Sequence, residues 1–132
     1  MPQGGVAEGV TGRVILMIGS TMSLVLYREA KVCLDRGELD ESFRLFTSFI
    51  NDQNSVLHPE ELTDSYNSRG HIRYLWVDFD DAIKDYTRAI KRNSSFPVAH
   101  YNRGQVHYRL GERLLCIKSF VILLMIVTVP QR

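Results

Sequence analysis

Arg69, Gly70 and Tyr74 return as Arg103, Gly104 and Tyr108, each 34 positions later, and Ile72 is echoed by Val106. A fixed period of that length means a copied supersecondary unit, which cannot bury its apolar face alone and must stack on its neighbour. Inside the unit, Phe79, Ala82, Ile83, Tyr86, Ala89 and Ile90 fall at steps of three and four and draw one apolar stripe along a helix. Lys84, Asp85, Arg88 and Lys91 take the other side. Asp78 stands at the N-cap position, with Asp80 and Asp81 in the first turn facing the positive end of the helix dipole. Asn93, Ser94 and Ser95 end this helix, and Pro97 opens the next. The same stripe stands 40 positions earlier, where Asp40, Glu41, Ser42, Phe43, Phe46, Phe49 and Ile50 align with Asp80 to Ile90. The first copy therefore carries six extra residues, held in the polar link from Asn51 to His58, after which Pro59-Glu60-Glu61 reads as a helix start.

The stretches YNSRGHIRYLWVDFDDAIKDYTRAI and YNRGQVHYRLG resemble the tetratricopeptide repeat, a helix-turn-helix unit of 34 residues. Counting from Thr63, the family's marked positions hold Tyr66, Gly70, Ala82, Tyr86 and Ala89. Gly70 and Ala82 let paired backbones approach, Tyr86 fills the gap, and Ala89 leaves room for the following helix. Gly104 repeats the first of these, and Gly37 and Gly111 supply turns. The unit departs from the pattern at Ser94, where the family has Pro, and at Arg73, which takes the aromatic-accepting site. The resemblance runs from about residue 23 to 120 and is nearest to small three-repeat members. It implies an all-α fold, a short superhelix of antiparallel helix pairs with about three repeats, the third irregular. The expected organisation is a loose N-terminal tail with an apolar stretch over 1–22, repeat one over 23–56, an inserted link over 57–62, repeat two over 63–96, and repeat three over 97–129 with an apolar second helix.

The family's first helices line a concave face, which by this alignment collects Tyr27, Lys31, Asn67, His71, Tyr74, Tyr101, Gln105, Tyr108 and Arg109. The resemblance implies a non-catalytic adaptor or scaffold, cytoplasmic or nuclear, that takes a peptide or helix of a protein partner there. Tyr supplies rigid contact area and Asn and Gln pair with backbone groups. The competing reading is that several of these tyrosines only fill space between repeats. One subclass of the family grips the C-terminal carboxylate of chaperones with Lys, Arg and Asn; its positions hold Tyr27, Lys31, Ser68, Val98 and Asn102 here, a set that argues against that ligand.

Other classes find little support. A net charge of +1 gives no pull toward nucleic acid. Cys33 and Cys116 form no C-x-x-C pair and read as free thiols. The histidines, His58, His71, His100 and His107, make no H-E-x-x-H pair, so neither metal site nor cofactor is expected. GGVAEG precedes no strand-loop-helix unit, and a helix start explains Asp78, Asp80 and Asp81 better than a cation does. Arg69 and Arg103 are a pair with two readings, a grip on a carboxylate or phosphate, or, preferred, salt bridges to the adjacent helix through Asp81 or Asp85.

Both ends are apolar. Val14 to Tyr27 carries no charge; with only Arg13 before it, Glu8 beside it and no A-x-A pattern after it, it reads as extra helix rather than a leader. The third repeat's second helix is ERLLCIKSFVILLMIVTV, apolar on every side after Lys118, where the other copies open with acids. Such a helix must be buried somewhere. It covers the open end against the N-terminal stretch or a second copy, enters a membrane through residues 114–130, which would make the protein membrane-associated, or is a substituted ending poorly suited to the fold; the last is preferred.

Overall fold

A computed structural model describes the backbone of residues 5–129 and the side chains of residues 9–129. Among the described residues there are six α-helices: α1 Gly5–Asp35, α2 Leu39–Asn51, α3 Pro59–Leu75, α4 Phe79–Arg92, α5 Pro97–Arg109 and α6 Arg113–Thr128. A short 3-10 turn, Gln53–Leu57, follows α2. The chain forms two compact units, Met1–Pro59 and Glu60–Arg132.

In the first unit α1 packs on α2. Ala30, Ser42, Phe46 and Phe49 are fully buried, and Ser42 Oγ donates to the Ala30 carbonyl at 2.8 Å. Tyr27 meets Phe46 edge-on at 6.3 Å and Phe49 at 5.6 Å. The 3-10 turn ties α1 further up: a Cβ on Gly19 would stand 2.7 Å from the Asn54 amide, and Ser20 Oγ lies 2.8 Å from His58 Nε2. The loose tail expected over 1–22 is instead helical from Gly5 on, with residues 1–4 outside the described chain. Nothing between Val14 and Tyr27 breaks a helix except Gly19, and there the turn occupies the missing side chain's place. The link from Asn51 to His58 holds a 3-10 turn, Gln53–Leu57, capped by Asp52 Oδ1 accepting from the Asn54 backbone amide at 3.0 Å, and α3 starts at Pro59 as the Pro-Glu-Glu start implied, inside the span 57–62 drawn for the insertion.

The membrane reading of residues 114–130 meets a helix of 16 residues that ends at Thr128, short of the ~20 a bilayer needs; Pro130 lies outside the described residues. Among the described residues the helix long and apolar enough to cross a membrane is α1, over Gly9–Asp35.

Each helix pair turns in the same way. Gly37, Val77 and Gly111 all hold positive φ (76°, 62° and 76°). Their amides and the next ones donate back to the preceding helix: Val77 N to Tyr74 O at 2.9 Å and Asp78 N to Arg73 O at 2.8 Å, matched at Gly37/Glu38 and Gly111/Glu112. This is the helix ending that favours glycine, because a side chain there crowds the backbone by roughly 1–2 kcal/mol. Val77 carries that strain on a β-branched residue. Val77→Gly is expected to raise stability by about 1 kcal/mol, since relief of the clash outweighs the added freedom of the unfolded chain; a urea midpoint that falls would overturn this. Asp78 is the N-cap residue of α4 by position, but its side chain makes no capping bond.

In the second unit, α3–α4 and α5–α6 repeat one packing. A Cβ on Gly70 would meet Tyr86 ring carbons at 2.8 and 2.9 Å and the Asp85 Cβ at 3.2 Å; on Gly104 it would meet Phe120 ring carbons at 2.8 and 3.1 Å and the Ser119 Cβ at 3.1 Å. Ala82, Tyr86 and Val106 are buried together, with Tyr74, Phe79 and Ile83 against them. The Arg69 expectation holds through Asp85: Nε and Nη2 reach its two oxygens at 2.8 Å each, and Arg73 and Arg88 join at 2.9 and 2.7 Å. The Asp85 side chain is wholly buried.

The Arg103 expectation fails, because Ser119 stands where Asp85 stands in the preceding pair. Arg103 Nη1 donates to Thr87 Oγ1 at 3.2 Å, its Nε is buried without a partner, and burial pulls the guanidinium below its usual pKa. Ser119→Asp is expected to restore the pair and stabilise the chain by about 1.5–3 kcal/mol, the range for hydrogen bonds to charged groups. An unchanged or lower urea midpoint would show that burying the new carboxylate costs more than Arg103 returns.

Candidate functional site

Three helices of the second unit enclose an open cleft of about 410 Å³, lined by Tyr74 of α3, Tyr101, Gln105, Tyr108 and Arg109 of α5, and Phe120 of α6. On α5 the spacing of 101, 105, 108 and 109 places these side chains on one face. Gln105 Nε2 donates to the Tyr101 hydroxyl at 2.9 Å, and the Tyr101 ring tilts against Phe120 at 6.0 Å. Arg109 lies 6.0 Å from the ring centres of both Tyr74 and Phe79, and its Nη1 donates to the Tyr74 hydroxyl at 3.4 Å. Tyr108 is 73% exposed. Two further depressions share these walls. One, about 410 Å³, continues from Tyr101 and Phe120 along Leu123, Leu124 and Val127; the other, about 640 Å³, continues from Tyr108 and Arg109 to Arg113, Cys116 and Ile117.

Residues 77–111 match the family model described as TPR repeat. Among solved structures, the first TPR of Spaghetti (RPAP3) bound to HSP90 peptide SRMEEVD aligns with a TM-score of 0.70 at 20% identity, over 81% of this chain and 80% of that one. The second TPR of Spaghetti (RPAP3), bound to the same peptide, aligns with a TM-score of 0.71 at 17% identity, over 81% and 94%. The fold is the tetratricopeptide-repeat fold.

Of the nine residues that the tetratricopeptide alignment places on the concave face, Tyr74, Tyr101, Gln105, Tyr108 and Arg109 line the cleft together. Asn67 is buried, and its Oδ1 accepts from Asn102 Nδ2 at 3.1 Å, so its amide joins α3 to α5. His71 stacks on Tyr74 at 6.4 Å, and burial lowers its pKa, which keeps the ring neutral near pH 7. Tyr27 and Lys31 are half-buried in the first unit, Tyr27 against Phe46 and Phe49. Gly37 and Gly111 sit at their tetratricopeptide turns, Gly70 and Gly104 at the close helix crossings, and Ala82, Tyr86 and Ala89 in the core. The remaining histidines are engaged locally: His58 with Ser20, His100 Nε2 with the Ser94 carbonyl at 2.9 Å, and His107 Nδ1 at 3.6 Å from Glu112. Among the described residues no three His, Cys, Asp or Glu side chains come together to hold a metal.

Sequence reasoning missed the contribution of α6. Phe120 walls the cleft, and Leu123, Leu124 and Val127 wall the depression that continues it, yet a helix apolar all round has no polar side to betray which face points where. The available signal was Phe120, which occupies the aromatic position of its pair.

Proposed function

We propose that this chain is a non-catalytic tetratricopeptide-repeat adaptor that holds a segment of a protein partner, peptide or helix, in the cleft of α3, α5 and α6. The observation that carries this reading is the convergence of Tyr74, Tyr101, Gln105, Tyr108 and Arg109 on one open surface. Rigid aromatics and a guanidinium are the side chains that dominate protein-binding hot spots. Support from outside the chain comes from two structures of the same fold, each bound to a peptide. The test is a photoreactive residue in place of Tyr108, with the same group at exposed Lys84 on α4 as control. A discrete partner captured from cell extract at position 108 alone, and competed by the unmodified protein, is the expected result; equal labelling from both positions, or from neither, removes the reading.

A chaperone's terminal carboxylate is not the expected ligand. At the positions that grip it in the family, Ser68 is buried, Val98 is apolar, and the Asn102 amide is occupied by Asn67. The peptide SRMEEVD is therefore expected to bind with the same affinity whether its C-terminus is free or amidated, as read by fluorescence anisotropy. A tenfold loss on amidation would reverse this.

Attachment to a bilayer is a second reading, and α1 rather than α6 favours it. Val10, Val14, Ile15, Leu16, Met17 and Ile18 are all exposed on a helix long enough to span. Resistance of the protein to alkaline extraction from a membrane fraction would support this reading, and release would remove it.

A further inference from the structure

The three depressions of the second unit differ in chemistry along their length. At one end the wall is aromatic and aliphatic, built by Tyr101, Phe120, Leu124 and Val127. At the other end two guanidinium groups, Arg109 and Arg113, flank the shared wall. Among the described residues neither is paired with a carboxylate, whereas Arg69, Arg73 and Arg88 of the same unit all converge on Asp85. An arginine has five N–H donors, and one of those on Arg109 reaches a neighbour, at the long distance of 3.4 Å. The group is nevertheless held, since it lies over the rings of Tyr74 and Phe79, and a side chain already positioned loses little freedom when it binds. An unpaired, positioned guanidinium beside an apolar wall complements a carboxylate beside a large apolar side chain.

We infer that this surface takes an extended peptide with an internal Glu or Asp next to large aliphatic or aromatic residues. The acid pairs with Arg109, with Arg113 adding to the positive potential, and the apolar side chain enters the pocket of Phe120, Leu124 and Val127. The acid is internal rather than terminal because depressions extend to both sides of Arg109, toward Phe120 and toward Ile117, so the ligand chain continues past it. This deepens the adaptor reading and rests on it.

The test selects a random peptide library, displayed on phage, against the intact chain and against the Arg109→Gln/Arg113→Gln double variant, with the helical circular-dichroism signal of both verified first. The intact chain is expected to enrich peptides with an acid beside a large apolar residue, and the double variant to lose the acidic preference while keeping the apolar one. A selected peptide should then bind the intact chain roughly tenfold or more tighter than its Glu→Gln copy, with the gap closing in the double variant and shrinking as salt is added. The inference is overturned by selection without acidic preference, by an acidic preference that survives the double substitution, or by no enrichment at all. Its failure is distinguishable from that of the adaptor reading: capture of a discrete partner from position 108 sustains the adaptor even when the library shows no acidic preference, and absence of capture removes both.

Discussion

Asp85→Ala is expected to cost about 3–5 kcal/mol, the range for removing one partner of a buried ion pair. That is a large share of the ~5–15 kcal/mol that holds a typical domain together. The size follows from the geometry. One carboxylate, with no exposed surface, accepts bonds from Arg69, Arg73 and Arg88 at 2.7 to 2.9 Å. Without it, Arg69, which is 8% exposed, and the half-buried Arg73 both lose the carboxylate they donate to. Asp85→Asn separates charge from volume: it fills the same space, so a loss close to that of Ala would assign the cost to the missing negative charge, and a small loss would assign it to the cavity. Arg88→Ala should cost under about 1 kcal/mol, since the Arg88 side chain is 46% exposed and water replaces much of what it gains. Urea melts followed by circular dichroism give all three values. A midpoint for Asp85→Ala within experimental error of the parent would show the network to be dispensable.

Gly70→Ala sets two effects of opposite sign against each other. Inside a helix, alanine is favoured over glycine by about 1 kcal/mol. At position 70 the new methyl would stand 2.8 and 2.9 Å from the Tyr86 ring and 3.2 Å from the Asp85 Cβ. Neither neighbour yields easily: Tyr86 is 1% exposed, and Asp85 is pinned by its arginines. Overpacking of this kind costs about 1–3 kcal/mol, so after the helix gain a net loss on the order of 1 kcal/mol is expected. The partner substitution Tyr86→Leu should return part of that loss in the double variant, although alone it destabilises, because contacting sites are non-additive. Gly12→Ala is the control, with nothing within 4 Å of the added carbon, and should raise stability by up to about 1 kcal/mol. Gly104→Ala belongs between the two, since half-buried Phe120 at the cleft has room that Tyr86 lacks. A Gly70→Ala protein more stable than the parent would mean that the helix crossing is looser than these distances.

The adaptor surface and the core draw on the same repeated residues for different ends, and this limits what could be read in advance. Tyr74 and Tyr108 are equivalent by repeat position, yet Tyr74 is half-covered by His71, Phe79 and Arg109 while Tyr108 stands in solvent. The tyrosines expected either to fill space or to face a partner thus divide by environment, not by position. The same holds for Arg69 and Arg103. Their sequence context is alike, but the residue opposite each one, sixteen positions on, is Asp85 in one case and Ser119 in the other.

The helix pairs, two of their turns and the close crossings of the second unit were determined by the sequence itself, because each depends on short-range spacing: apolar residues at steps of three and four, a glycine after the first helix at Gly37 and Gly111, and a glycine at 70 and 104 where two helices meet; the positive φ at Val77 has no such signal. Tertiary structure decided the rest. It decided that α1 runs unbroken through Gly19, since the turn at Asn54 fills the gap there. It decided that Asn67 is consumed by Asn102, and that one side of α6 becomes the apolar wall of the depression beside the cleft. These outcomes turn on which side chain stands across a gap of about 3 Å from another helix, and a hydrogen bond or a packing contact forms or fails within a fraction of that distance. A periodic pattern names the face of a helix; the neighbour that covers it is chosen only when the helices dock.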